Sequence, residues 1–175
     1  INKLNFSFIK KYHELWIPDL KDLAENLSGE LSHITDYPIK NYLFIGPLSR
    51  FTQQETMSNY PKIDLLIILS GPEPQRTLFE ELISEQATKS SLNTIIVLGK
   101  PEEEISYQKE NISYISYAND AQMSAMIQSA ELIISRPGYS TIMDLCVLGK
   151  KAIFIPTPGQ TEQLYLAYKL KSKVY

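Results

Sequence analysis

The stretch from Glu131 to Tyr168 constrains this chain more than any other. A short apolar run, Leu132 to Ile134, breaks at Pro137-Gly138 and continues into a helical segment that Gly149 closes. A second apolar run, Ala152 to Ile155, meets Pro156-Thr157-Pro158-Gly159 and then a further helical segment. Apolar β-branched runs bounded by Gly and Pro, alternating with helices of about 10–15 residues, predict parallel strands joined by crossover helices. The expected fold class is α/β, a Rossmann-like parallel sheet with helices on both faces. Ligands of such sheets bind beyond the carboxyl ends of the strands, where both loops would lie.

The first loop, Ser135-Arg136-Pro137-Gly138-Tyr139-Ser140-Thr141, delivers small and hydroxylic residues to the first turn of a helix. Unpaired N–H groups there, with the positive end of the helix dipole, suit a phosphate. Asp144 follows two turns into the same helix, between Met143 and Leu145. Asp is a poor helix-interior residue with no capping task at that position. At 1.5 Å per residue its Cα lies about 9 Å beyond that of Gly138, and helical side chains lean back toward the N-terminus. A carboxylate so placed can accept hydrogen bonds from the ribose of a nucleotide whose phosphates sit on the helix start. The same spacing also fits an Asp on a solvated face.

The second loop places Gln160, Thr161, Glu162 and Gln163 at the start of the last helix, behind two prolines and a glycine. Amides and carboxylates suit sugar hydroxyls, which require both donors and acceptors. Thr161-Glu162 also makes a good helix start, since the dipole favours Glu there. A third loop follows the buried-strand pattern Ile63 to Leu69 and precedes a helix from about Thr77 to Ala87. Ser70 and Gly71 there have the strand–glycine–helix order that approaches phosphate, although Pro72 and Pro74 remove two donors. Gln75 and Arg76 are placed to meet sugar or acceptor. The alternative is a tight strand-to-helix turn with no ligand.

These residues resemble the nucleotide-binding half of a GT-B glycosyltransferase, specifically the C-terminal domain of glycosyltransferase family 28. Its members include an enzyme that adds N-acetylglucosamine to a lipid-linked peptidoglycan precursor. The family carries Arg-Ser-Gly, three residues opening the helix and an acidic residue further along. Here Arg136-Pro137-Gly138 is followed by Tyr139, Ser140 and Thr141, with Asp144 where the family has Glu. The resemblance implies that the helix start touches a diphosphate and that Asp144 takes the ribose hydroxyls. It implies that Arg50, in Gly46-Pro47-Leu48-Ser49-Arg50, meets the diphosphate, and that the loop near Tyr117 lies against uracil. Gln163 matches the first of the family's two sugar-reading glutamines, while Leu164 stands at the second.

The function so implied is the donor-binding part of a metal-independent glycosyltransferase using a UDP-sugar, with N-acetylglucosamine the sugar suggested. No catalytic residue is expected in the chain, because the family's general base comes from the N-terminal half. Residues 1–45 are expected to be the tail of that acceptor domain, 46–60 a linker, and 61–175 the nucleotide-sugar-binding domain. Ile1 in place of Met, without a signal-peptide pattern, agrees with a fragment. The acceptor, lipid-linked or saccharide, stays unidentified, and the location is expected to be cytoplasmic, with peripheral membrane contact through the other half left open. Lys169, Lys171 and Lys173 alone are too thin a basic cluster to decide that contact. The alternatives are a UDP-sugar hydrolase or epimerase sharing the donor domain, and a non-catalytic subunit that binds nucleotide sugar.

Composition excludes little. A net charge of −3 gives no reason to expect nucleic acid as partner. No cofactor is implied, and His13 and His33 belong to no metal-ligand cluster. Cys146, the single cysteine, is expected to be buried on an apolar stripe with Ile142 and Leu145. Asn26-Leu27-Ser28 and Asn111-Ile112-Ser113 fit the glycosylation pattern by chance. Short strands are expected at Leu15 to Ile17, 41–45, 93–98 and 112–117. Helices are expected over 19–26, weakly, and over 121–129 behind Asn119-Asp120, with Met123, Met126 and Ile127 inward.

Overall fold

The computed structural model describes residues 3–52 and 60–171. Its contacts divide the chain into two compact units, Ile1–Ser49 and Arg50–Tyr175. The stretch expected as a linker spans that division, and its residues 53–59 lie outside the described residues, as does Lys173.

The first unit holds α1 (Lys3–Ile9), β1 (Leu15–Ile17), a 3-10 turn (Gly29–Leu31) and β2 (Tyr42–Phe44). β1 and β2 pair in parallel, with Trp16 opposite Leu43. The helix expected over 19–26 does not form, because the Asp19 carboxylate offers the backbone a competing partner. It accepts from the N–H of Leu20 (2.7 Å), Leu27 (2.8 Å) and Ser28 (3.0 Å), and from the hydroxyls of Ser28 (2.6 Å) and Ser32 (2.8 Å). The result is a loop wrapped around a buried charge. Burial alone would raise the Asp19 pKa, but the bonds from Ser28, Leu27 and Ser32 outweigh it and hold the carboxyl at about 2.

The second unit runs β3 (Ile63–Ile68), α2 (Gln75–Thr88), β4 (Thr94–Val97), β5 (Ser106–Lys109), β6 (Ile112–Ile115), α3 (Asp120–Ser129), β7 (Ala130–Ser135), α4 (Tyr139–Val147), β8 (Ile153–Phe154) and α5 (Thr161–Lys171). Its sheet has the order β5-β6-β4-β3-β7-β8. Every pairing is parallel except β5 with β6, an antiparallel edge that the wholly exposed Ser106–Lys109 gave no apolar signal for. The chain steps outward from β3 through β4 to β6, then returns to the other side of β3 for β7 and β8. The strand order therefore reverses between β3 and β7, where α/β sheets open a crevice at their carboxyl ends.

Alternation along the strands makes two cores. Leu65, Ile67, Ile96 and Leu98 pack with Phe79, Ile83 and Ala87 of α2. Leu66, Val97 and Ile133 pack with Met123, Met126 and Ile127 of α3 and Leu145 of α4. Each fully buried aliphatic side chain contributes roughly 1.5–3 kcal/mol, so helices on both faces fix which strand edge points where. Asn119 caps α3 through a reciprocal pair with Gln122. Cys146, expected inward with Ile142 and Leu145, is exposed, although both of those neighbours are buried.

Candidate functional site

Five parallel strands leave the sheet at one edge, so the loops after β3, β4, β6, β7 and β8 share it. Ser70, Gly71, Tyr117, Gly138, Tyr139, Ser140, Thr141, Gln160, Thr161, Glu162 and Gln163 are all carried by those loops or the helix starts that follow them. Ser70 and Gly71 are exposed, with Gly71 at φ 103°, and Tyr117 is also exposed. Glu73, joined to Pro74 by a cis peptide bond, accepts from Arg76 and from the N–H of Thr77, and so caps α2 itself.

α4 starts at Gly138, whose φ of −70° any residue could adopt and whose side offers the helix no capping group. A Cβ there would meet only Thr141 Oγ1 at 3.7 Å, so the glycine keeps the mouth of the helix open. Ser140 is exposed and Thr141 half-buried in the first turn of α4, where backbone N–H groups have no intrahelical acceptor.

Arg136 points inward, not toward solvent, and is 4% exposed. Its Nη1 donates to the carbonyls of Ile155 (2.9 Å) and Pro156 (2.8 Å), and Nη2 to that of Gln75 (3.4 Å). The guanidinium lies 4.1 Å from the centre of the Phe79 ring. Burial pulls its pKa below the usual arginine value. Among the described residues, Nε of Arg136 and Oγ of the buried Ser135 have no hydrogen-bond partner.

Asp144 sits two turns along α4 with its side chain 13% exposed, 3.3 Å from Nε of Arg50. Arg50 also reaches Asp120, the first residue of α3, at 2.9 Å, and its guanidinium covers Phe51 at 4.8 Å. Arg50 therefore joins the start of α3 to the second turn of α4, two helices that sequence reasoning treated separately. Asp120 carried no signal beyond a helix-cap neighbour. At the last loop, the N–H of the buried Thr157 donates to Oε1 of Gln163 at 2.8 Å. Only the carbonyl end of an amide accepts from N–H, so this bond commits the Gln163 oxygen and leaves its NH2 for another partner. The Arg76 side chain is taken up internally by Glu73 and the carbonyl of Gly99, while Gln75 lends only its backbone carbonyl to Arg136. Among the described residues no three His, Cys, Asp or Glu side chains gather as a metal would require, and no helix is long and apolar enough to cross a membrane.

The pattern of the glycosyltransferase family 28 C-terminal domain matches residues 66–175. A relative from Rickettsia felis (strain ATCC VR-1525 / URRWXCal2) is 28% identical over 186 residues, covering 99% of this chain and 51% of its own length. It is named UDP-N-acetylglucosamine–N-acetylmuramyl-(pentapeptide) pyrophosphoryl-undecaprenol N-acetylglucosamine transferase. A protein of the same name from Rickettsia massiliae (strain Mtu5) is 34% identical over 127 residues, covering 65% of this chain and 34% of its own. One from Sulfurihydrogenibium sp. (strain YO3AOP1) is 29% identical over 93 residues, 53% of this chain and 26% of its own. The chain spans about half the length, or less, of the curated relatives it matches. A solved structure described as the glycotransferase of kitacinnamycin shares the fold at a TM-score of 0.55 and 13% identity, over 83% of this chain and 39% of that one.

Proposed function

The chain belongs to the glycosyltransferase family 28 C-terminal domain family, and from that premise we propose that it is the donor-binding part of a glycosyltransferase that uses a UDP-sugar. The observation carrying the reading is the meeting of an open helix start at Gly138 with a shielded carboxylate, Asp144, two turns along the same helix. On this reading the N–H groups of Tyr139, Ser140 and Thr141 and the α4 dipole hold the diphosphate and stabilise the charge that develops as UDP leaves. Asp144 accepts from the ribose hydroxyls. Arg50, beside that carboxylate, is assigned to the diphosphate, with Ser70 and Gly71 facing it from the loop after β3, and Tyr117 is assigned to the base.

Gln160, Thr161, Glu162 and Gln163 take the sugar, for which N-acetylglucosamine is proposed because the named relatives use it. The acceptor is proposed to be lipid-linked, as in those names, and the general base is placed in the part of the longer relatives that this chain does not span. Residues 1–45 are assigned to the acceptor-side domain and 61–175 to the donor domain. The protein works, on this reading, in the cytoplasm at the membrane surface that carries the acceptor.

Calorimetric titration of the chain with UDP, UDP-N-acetylglucosamine, UDP-glucose, GDP and dTDP tests the reading. Saturable binding of the UDP compounds with little GDP binding is expected, and equal affinity for GDP overturns it. Asp144→Ala should weaken UDP by about 1.5–3 kcal/mol, the value of hydrogen bonds to a charged group. Unchanged affinity in that variant removes the ribose assignment. Gln163→Glu still accepts the Thr157 N–H but presents oxygen in place of NH2 to the sugar. UDP affinity should hold while UDP-N-acetylglucosamine loses about tenfold, the cost of one unpaired polar contact. Parallel losses for both ligands would remove Gln163 from the sugar.

A further inference from the structure

Arg136 stands at a position where a surface cation would be unremarkable, yet it is more than nine-tenths buried and, among the described residues, forms no ion pair within the unit. A buried charge without a counter-charge is costly, and neutral carbonyls compensate it only in part. Those carbonyls come from separate segments: Gln75 opens α2 after β3, while Ile155 and Pro156 follow β8. Arg136 itself begins the loop after β7. Phe79, one turn into α2, supplies the flat face that holds the guanidinium plane.

We propose that Arg136 is a positioning residue: its guanidinium ties the loops after β3, β7 and β8 into one frame, so that their backbone N–H groups face a single anion together. It acts through the carbonyls of Gln75, Ile155 and Pro156 and does not touch the ligand. Its plane and fixed fork suit this task, since three carbonyls from two directions need donors at fixed angles, which a lysine ammonium does not supply. A diphosphate bound in front of the frame would supply the missing negative charge. For its geometry the proposal rests on this unit alone, and for its ligand it rests on the nucleotide-sugar reading above.

Arg136→Met and Arg136→Lys test it, each checked for folding by circular dichroism. Amide hydrogen exchange reads the tie without ligand, at the bonded amides of Arg76, Ile142 and Thr157, one for each loop. In Arg136→Met all three should exchange at least tenfold faster while Leu98 and Ser116, on neighbouring strand exits, hold their rates. Arg136→Lys should lie between. Faster exchange in one loop alone, or the same acceleration across the whole sheet, overturns the tie. Where Arg136→Met does not fold, Arg136→Lys carries the same comparison.

Uridine and UDP then read what the tie serves. UDP affinity should fall tenfold or more in Arg136→Met with uridine changed less than twofold. Equal losses for both would overturn the positioning role, because a general structural defect lowers them together. A wild-type chain that binds no UDP ends the nucleotide reading, and the exchange rates still decide whether the three loops are tied.

Discussion

Gly99→Ala is expected to cost the second unit about 3–5 kcal/mol, through left-handed backbone strain and a contact that cannot relax. Gly99 has φ 68°, and a Cβ built on it would lie 2.6 Å from the carbonyl oxygen of Leu69 and 3.4 Å from its carbon. Both are backbone atoms of the strand exit next door, so no side chain can swing aside. The change would push the end of β4 away from the end of β3 and displace Ser70. It would also disturb the Gly99 carbonyl that receives Arg76. Urea denaturation of the variant measures the loss. Gly138→Ala is the matched comparison: at φ −70° with a 3.7 Å contact, it should cost about 1 kcal/mol or less, the difference between glycine and the poorer alanine as a helix cap. Equal losses at the two glycines would sink the argument.

Asp19→Asn should destabilise the first unit by about 2–4 kcal/mol, because charge-assisted bonds are lost and one N–H is left facing another donor. The Ser28 and Ser32 hydroxyls can rotate, but the N–H groups of Leu27 and Ser28 cannot. The same carboxylate makes the unit acid-sensitive. Its folded pKa of about 2 lies below the ordinary 3.8, so the unfolded chain takes up the proton first. The stabilisation, about 2 kcal/mol at 1.36 kcal/mol per unit, is fully present above pH 4 or so and fades as pH falls through 2. Trp16, the sole tryptophan, belongs to this unit and reports its melting by fluorescence. The stability difference between pH 5 and pH 2 should shrink in Asp19→Asn. An undiminished difference would move the acid sensitivity elsewhere.

The parts of the fold legible in the sequence are those set by burial. Ile63 to Ile68 and Thr94 to Val97 read as strands because their faces are largely covered, which leaves apolar runs, while in β7 only Leu132 to Ile134 carried the signal because Glu131 is exposed. β5 was illegible for the opposite reason: it is exposed throughout, held by pairing with β6 and by Tyr107 stacked on Tyr114 at 4.7 Å. Asp19 to Asn26 misread as helix because a periodic pattern does not reveal what an Asp side chain will bind. At the site, the loops and their shared edge follow from the alternation of strands and helices. The inward turn of Arg136 does not, since it depends on Phe79 and on carbonyls far away in sequence. Nor does the partnership of Arg50 with Asp120 and Asp144. A motif names residue types, while side-chain direction is decided by whatever packs beside them.

The reversal of strand order at β3 also has a bearing on how the chain is made. β4 follows β3 closely and covers one side, but the other side waits for β7, which pairs Ile63 with Ala130. That partner leaves the ribosome roughly 70 residues later, several seconds at about 5–20 residues per second. Until then β3, largely apolar, is an open edge, the kind of template on which nascent chains pair with each other. A central strand of this sheet thus stays open on one side after β4 and β6 have already been made.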